Sequence, residues 1–440
     1  MKIILGLLIA SLVLVKCTDQ TSFFAELLGE NLPYYTETDY VNFPDLGSIY
    51  YHLILKEGTK SLDDIKKGDV LAIWLNGGPG SSSQLGNYME IGPWVIKKNP
   101  DTEAKEKPYI VTKREYAWNK VMHLLFIDQP FGAGMSKAEK ENIVTNSDQA
   151  AKYFVDTIKY IYSRLNGLDK VNTYIFGESY AGHYIPAFAT KLIQEDIKTL
   201  EKINFKGIAI IDGITDTQNQ LNYYHSYLFN IGAISQVDLE KLQKIGVTGQ
   251  QYIMNGDYVK GAEQLDLMTE DKLIQQIGDI NVYNIRKYKG LDEYDYSWVD
   301  FLNTYITQFS SEITKFEKSN QNIYKAFQQD IGESRRQDIQ LLLKNNYKVL
   351  LLNGQLDYII NTPGAWNWIY QLKWDYHYQW KNTEKQFITF PVEGQATKFE
   401  THGYVKTYEN FSYATIYKAG HMIPTDNPKA VYSVIEKFIK

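Results

Sequence analysis

The stretch Tyr174-Ile175-Phe176-Gly177-Glu178-Ser179-Tyr180-Ala181-Gly182 decides how this chain reads. It is an apolar run that breaks at a glycine, passes through a serine, and continues with helical spacing. A serine held on a strained strand-to-helix turn needs very small residues two positions before and after it, because the backbone folds back on itself there and leaves the hydroxyl exposed. Gly177 and Ala181 meet that demand, Ala181 standing where the generic pattern has glycine. Gly-x-Ser-x-Ala by itself is a weak pattern that fits a plain turn equally well, so the rest of the chain has to decide.

Working outward, comparable apolar runs recur at residues 70–75, 123–127, 173–176, 208–211, 348–352 and 413–417. Runs of this length between helical patterns are expected of strands buried on both faces of a mostly parallel sheet. Ala151, Phe154, Val155, Ile158, Ile161, Tyr162 and Leu165 fall at helical spacing between two of them, which predicts an amphipathic helix packed on that sheet. The expected fold is therefore α/β, a central mostly parallel sheet flanked by helices. Residues 215–340 interrupt the alternation with a Tyr-, Gln-, Asn- and Lys-rich stretch of weak helical patterning. They read as an inserted, mainly helical cap between core segments 18–214 and 341–440, with a separate second domain as the alternative.

Each run is followed by polar or glycine-rich residues: Asn76-Gly77-Gly78-Pro79-Gly80, Asp128-Gln129-Pro130, Gly177-Glu178-Ser179, Asp212-Gly213, Asp357, and Ala419-Gly420-His421. Ligands of open α/β sheets bind at the carboxyl ends of strands, so these residues mark one sheet edge as the site. An activated serine needs a base, and the base needs an orienting carboxylate. Asp357 and His421 supply both, and the chain order Ser, Asp, His is that of the α/β-hydrolases. None of the seven histidines shows metal-ligand spacing, and the glycine-rich loop after Trp74 lacks the Gly-Lys-Ser/Thr of a phosphate cradle. No cofactor or metal is expected.

Composition narrows the partners. With 46 Lys+Arg against 52 Asp+Glu and a formal charge of -6, the chain has no basic excess for a phosphate backbone, which argues against nucleic-acid binding. The 44% apolar content over 440 residues is enough for a large core, and a single cysteine rules out a disulfide framework. Lys2 and the apolar run at residues 3–15 are too short to span a bilayer but suit a secretory leader ending near Cys17. Residues 1–17 are read as a signal peptide, which places the protein in the secretory pathway, lysosomal, vacuolar or secreted, with no membrane attachment after its removal. A buried N-terminal helix and lipid attachment at Cys17 are the competing readings. Asn410-Phe411-Ser412 is the one N-glycosylation triplet.

Taken in order, Trp74-Leu75-Asn76-Gly77-Gly78-Pro79-Gly80-Ser81-Ser82, Asp128-Gln129-Pro130-Phe131-Gly132-Ala133-Gly134, Gly177-Glu178-Ser179-Tyr180-Ala181-Gly182 and Gly420-His421-Met422-Ile423-Pro424 resemble the serine carboxypeptidases of the α/β-hydrolase fold. The resemblance runs from about Tyr34 to the C-terminus. It implies Ser179 as nucleophile, His421 as general base and acid, and Asp357 as its orienter, with the N–H groups of Gly78 and Tyr180 as oxyanion donors. It further implies that Asn76, the Gly77 amide and Glu178 read a substrate carboxylate, that Glu90 shares that network, and that Met422 lines the pocket of the departing residue. The implied activity is release of C-terminal residues from peptides and proteins through an acyl-enzyme, at acidic pH and with apolar leaving residues. An acyltransferase on the same fold and a protective partner of lysosomal enzymes are the alternatives, and the oligomeric state is left open, a homodimer included. Two positions depart from the family: Ser81 stands where a cysteine is usual, and Asp212 stands where Asn precedes Gly.

Overall fold

The computed structural model describes residues 18–440 except 102, 105, 142, 143 and 289–293, with Thr18 and Ala396 described at the backbone only. The leader expected at residues 1–17 lies outside the described residues. In chain order the strands are β1 (Thr18–Asp19), β2 (Thr36–Phe43), β3 (Gly47–Ile54), β4 (Val70–Leu75), β5 (Trp94–Lys98), β6 (Tyr109–Lys113) and β7 (His123–Asp128). Then come β8 (Lys137–Ala138), β9 (Asn172–Glu178), β10 (Phe205–Ile211), β11 (Lys348–Gly354), β12 (Gln386–Val392), β13 (Gln395–Tyr408) and β14 (Phe411–Ile416).

One large sheet runs β1-β2-β3-β7-β4-β9-β10-β11-β14-β13-β12, with β8 beside β3, while β5 and β6 form a separate hairpin. The six neighbours from β7 to β14 are parallel, and they are the six apolar runs read from the sequence. Side-chain alternation explains why those runs are apolar throughout. Leu71, Ile73 and Leu75 of β4 enter the core on one face, and Val70, Ala72 and Trp74 the core on the other. Helices cover both faces. Ser147–Arg164 and Ala181–Leu192 pack together on one side, with Phe154 stacked on Phe188 at 4.5 Å, and Pro428–Ile439 packs on the other through Val431, Val434 and Ile435. The first of these begins where the side chain of Asn146 accepts a hydrogen bond from the Gln149 N–H, capping an end that the helix cannot satisfy itself.

The antiparallel strands at the two edges were not separable by hydrophobic pattern. β2 reads Thr-Glu-Thr-Asp-Tyr-Val-Asn-Phe, yet Thr36 to Val41 are buried. Its charge is compensated within the fold: Asp39 pairs with Arg164, and Glu37 accepts from Tyr35 Oη at 2.7 Å and Tyr51 Oη at 3.3 Å. Between β10 and β11, the described residues form helices from Thr217–Gln220 to Arg336–Lys344 and no strand of the sheet.

Candidate active site

Parallel register is what gathers the site. Trp74 lies opposite Phe126, Leu75 opposite Gly177, Glu178 opposite Ile211, Ile211 opposite Leu352, and Leu352 opposite Ala414. The residues that leave these strand ends, among them Asn76, Asp128, Ser179, Asp212, Asp357 and His421, are therefore delivered to one edge.

Ser179 follows β9 with φ at 61°, a left-handed conformation that a serine adopts only under constraint. Its N–H donates to Ile211 O at 3.0 Å, and its carbonyl accepts from Gly182 N at 2.9 Å and Ile214 N at 3.1 Å. Small neighbours are obligatory: a Cβ on Gly177 would lie 2.0 Å from Leu75 O, and one on Gly182 would lie 2.3 Å from Ile214 O. The turn opens the helix Ala181–Leu192, so the Tyr180 N–H sits at a helix N-terminus, where partial positive charge collects.

His421 and Asp357 meet in a buried contact, Nδ1 to Oδ2 at 2.8 Å. Asp357 Oδ1 also accepts from Ile360 N at 3.0 Å, which fixes the carboxylate. A segment of the chain between β10 and β11 threads between the two loops. Val282 O accepts from Tyr358 N and Ile359 N, and Tyr283 O accepts from His421 N at 2.6 Å. Tyr283 also places its ring 5.5 Å from the imidazole and, with Asp271, Tyr294 and Tyr296, lines a cavity of about 190 Å³.

The glycine-rich loop after β4 presses on the Ser179 turn. A Cβ on Gly77 would lie 2.3 Å from Tyr180 N and 2.9 Å from Ser179 Cβ, and Gly78 has φ at +104°. Buried Asp128 holds this loop, accepting from Ser83 N at 2.7 Å, Ser82 Oγ at 2.8 Å and Met135 N at 2.7 Å. Ser81 bridges to Ser319 as a two-residue β-contact, and Ser82 N donates to Lys318 O at 2.9 Å, so backbone pairing ties the loop to the helical stretch between β10 and β11.

Asn76 Nδ2 donates to Glu178 Oε1 at 3.0 Å, while Asn76 Oδ1 is fixed by Trp74 Nε1 at 2.7 Å and Gly86 N at 2.9 Å. Glu90 reaches the same place from the turn Gly86–Ile91, with 1% of its surface exposed. Burial pushes both acids up, and the mutual proximity of Glu90 and Glu178 pushes Glu178 further. Two buried carboxyls side by side cannot both ionise cheaply, so such a pair holds a proton to higher pH than an isolated acid would. Met422 is buried in the apolar cluster that also holds Met89 and Ile423.

Two groups were not foreseen. Asp330, from the helix Gln328–Gly332, is wholly buried and accepts from Ser147, from Tyr180 Oη and from Arg335 Nη2. It thereby connects the helical stretch between β10 and β11 to the residue after Ser179. Tyr283 is the other. No local pattern marks either, since each gains its role from a contact more than 100 residues away in sequence.

The serine carboxypeptidase family profile matches residues 28–440. Among curated proteins, serine carboxypeptidase S10 family member 1 of Dictyostelium discoideum is 30% identical over 84% of this chain and 87% of its own length. The venom serine carboxypeptidase of Apis mellifera is 29% identical over 86% and 79%. Among solved structures, the prohormone-processing carboxypeptidase Kex1 of Saccharomyces cerevisiae superposes with a TM-score of 0.74 over 92% of this chain and 91% of its own, at 21% identity. The fold is the α/β-hydrolase fold expected from the sequence.

Proposed function

Since this chain belongs to the serine carboxypeptidase family, we propose that Ser179, His421 and Asp357 form its catalytic triad and that Asn76, Gly77, Glu178 and Glu90 read the substrate C-terminus. The observation that carries this reading is the pairing of two devices at one sheet edge: an imidazole held by a buried carboxylate, and a second pair of buried carboxyls, Glu90 and Glu178, gathered beside Asn76.

His421 Nδ1–H donates to Asp357, which leaves Nε2 as the base. Ser179 Oγ attacks the last peptide carbonyl as its proton passes to Nε2, and the Gly78 and Tyr180 N–H groups receive the oxyanion. The C–N bond then breaks, His421 returns the proton to the departing amine, and a C-terminal amino acid leaves. Water repeats the sequence on the acyl ester and restores Ser179. The protonated carboxyl of the Glu90–Glu178 pair donates a hydrogen bond to the substrate carboxylate, as does Asn76 or the Gly77 N–H. An acidic working range follows from this reading. Met422 supplies an apolar wall for the leaving residue, and residues 215–340 cap the site.

Cleavage of a free-acid peptide and its amidated copy, followed by mass spectrometry, tests the assignment. Hydrogen bonds to a charged group are worth about 1.5–3 kcal/mol, so amidation is expected to lower kcat/KM by roughly 10- to 100-fold. Equal cleavage of both would exclude the carboxylate clamp. Entry into the secretory pathway is proposed from the N-terminal apolar run, and the naming of one relative as a venom protein is consistent with it.

A further inference from the structure

We propose that Asp212 is a positioning residue of the triad, a buried carboxylic acid that donates its proton to Asp357 and so holds Asp357 against His421. The inference rests on the triad assignment above and extends it by one residue. Asp212 leaves the end of β10 with φ at 42°, and this left-handed turn aims its side chain at the neighbouring strand end. Oδ1 accepts from Gly354 N at 2.8 Å and Asn353 Nδ2 at 3.1 Å, so that oxygen serves as an acceptor. Oδ2 is buried and has no donor directed at it. One oxygen each from Asp212 and Asp357, together with an imidazole nitrogen of His421, lie within 4.8 Å of one another.

Asp357 already accepts from His421 Nδ1 and from Ile360 N. A second ionised carboxylate at this distance would repel it in a site that excludes water, and a bare buried carboxylate oxygen is costly to leave unsatisfied. A proton on Asp212 removes both problems, turning the orphaned oxygen into a donor and the repulsion into a hydrogen bond. The surroundings favour the neutral form. The groups that face Asp212 are Asp357 and His421 from the two loops, Glu178 from β9, Tyr413 from β14 and Tyr227 from the helix Tyr224–Asn230; of these only His421 can carry positive charge. Burial, and then the charge of Asp357, both push the Asp212 carboxyl well above its ordinary range. The group therefore stays neutral below that raised value and ionises as pH climbs through it, which would set two like charges side by side and detach Asp357 from the imidazole.

The test separates this proton from the one on Glu178 by using p-nitrophenyl acetate, an ester with no free carboxylate. The pH dependence of kcat/KM is measured for wild type, Asp212→Asn and Asp212→Ala. Asparagine keeps the Oδ1 acceptor and presents a permanent donor, whereas alanine supplies neither. A single essential proton gives an alkaline limb falling about tenfold per pH unit in wild type, and Asp212→Asn is expected to remove it. Asp212→Asn should also recover at least about tenfold of the kcat lost in Asp212→Ala, since it restores the hydrogen bond to a charged group. In infrared spectra at neutral pH, Asp212→Asn should lack one protonated-carboxyl stretch that wild type shows. Retention of every such band, or superimposable pH profiles, would overturn the proposal. A fluorophosphonate that fails to label Ser179 would instead remove the hydrolase reading itself, whereas labelling with unchanged profiles would remove only the role given to Asp212.

Discussion

Replacing Ser179 or His421 with alanine should each lower kcat on a blocked peptide by about 10⁴- to 10⁶-fold, and the double variant should be no slower than either single one, because the groups act as a unit. Steady-state rates on the three proteins check this; additive losses would mean that the two residues do not share a step. The Glu90–Glu178 pair makes a separate demand. Burial raises both carboxyls and the proximity of Glu90 raises Glu178 further, so the shared proton is present at acidic pH and lost as pH climbs through the raised range. Peptide KM should therefore rise with pH while ester KM stays level, and Glu178→Gln, a permanent donor, should flatten the peptide curve. Matched peptide and ester KM profiles decide it, parallel curves ruling the shared proton out. At Met422 the expectation concerns selectivity. A thioether strips water from a cationic leaving residue without replacing it, so Met422→Glu should move preference toward Lys and Arg in a competition among peptides differing only in the last residue.

At the scale of elements, Asp330 joins the helical stretch between β10 and β11 to the Ser179 turn. Burial works against its charge, but His183, Arg335 and the hydrogen bonds from Ser147 and Tyr180 outweigh this and hold it below the ordinary carboxylate range. Arg335 in turn also pairs with Asp148, at 2.9 Å. Asp330→Ala would leave Arg335 only 6% exposed with its principal partner gone, and breaking such a buried pair costs about 3–5 kcal/mol. Urea unfolding should show that loss for the single variant, with much of it recovered in Asp330→Leu/Arg335→Met, where neither charge remains. Tyr180 gives up its Oη acceptor in both variants, so kcat should stay depressed in the double variant even as stability returns. Recovery of both together would mean that the contact does not position the turn.

For the whole molecule, buried titratable groups set the pH range of stability. Burial raises Glu90, Glu178 and Asp212, the proximity of Glu90 raises Glu178 further and the charge of Asp357 raises Asp212 further, and burial brings Asp128 to about 6. Above the ordinary carboxylate range the native state therefore holds more protons than the unfolded chain, and stability falls as pH rises. Buried His52, at about 3, and His123, at about 4, act in the opposite sense below the ordinary histidine value of 6.5, where only the unfolded chain takes up their protons. In mildly acidic solution the two histidines offset part of the effect of the four carboxyls, and above 6.5 only the carboxyls remain. Calorimetry should show a Tm that already declines from about pH 5, the two histidines softening the fall below 6.5; a rise into the alkaline range would mean these acids are ionised in the fold. With one cysteine there is no internal disulfide to reduce, so dithiothreitol should leave Tm unchanged. The sequon at Asn410 is half-buried, and its Nδ2 donates to both Leu343 O and Tyr347 O at 2.9 Å. A glycan there would displace one of those bonds, so the mass of protein from a secretory host should not change on glycosidase treatment.

The sequence by itself determined the six parallel strands and the residues at their ends. A strand buried on both faces must be apolar at every position, and a turn such as that at Ser179 admits only tiny neighbours, so both constraints are local and appear as local patterns. The membership of His421 and Asp357 in one site was legible only because motif order substitutes for spatial proximity. What the tertiary structure alone decided are the pairings that no window contains. The polar strand β2 is buried because Arg164 and Tyr51 satisfy its acids, and Asp330 is an anchor because Arg335 and Tyr180 converge on it. Asp212 reads in the sequence as one departure from a family pattern. It acquires a chemical task only because parallel register sets the end of β10 beside that of β11, bringing two acids within reach of one proton.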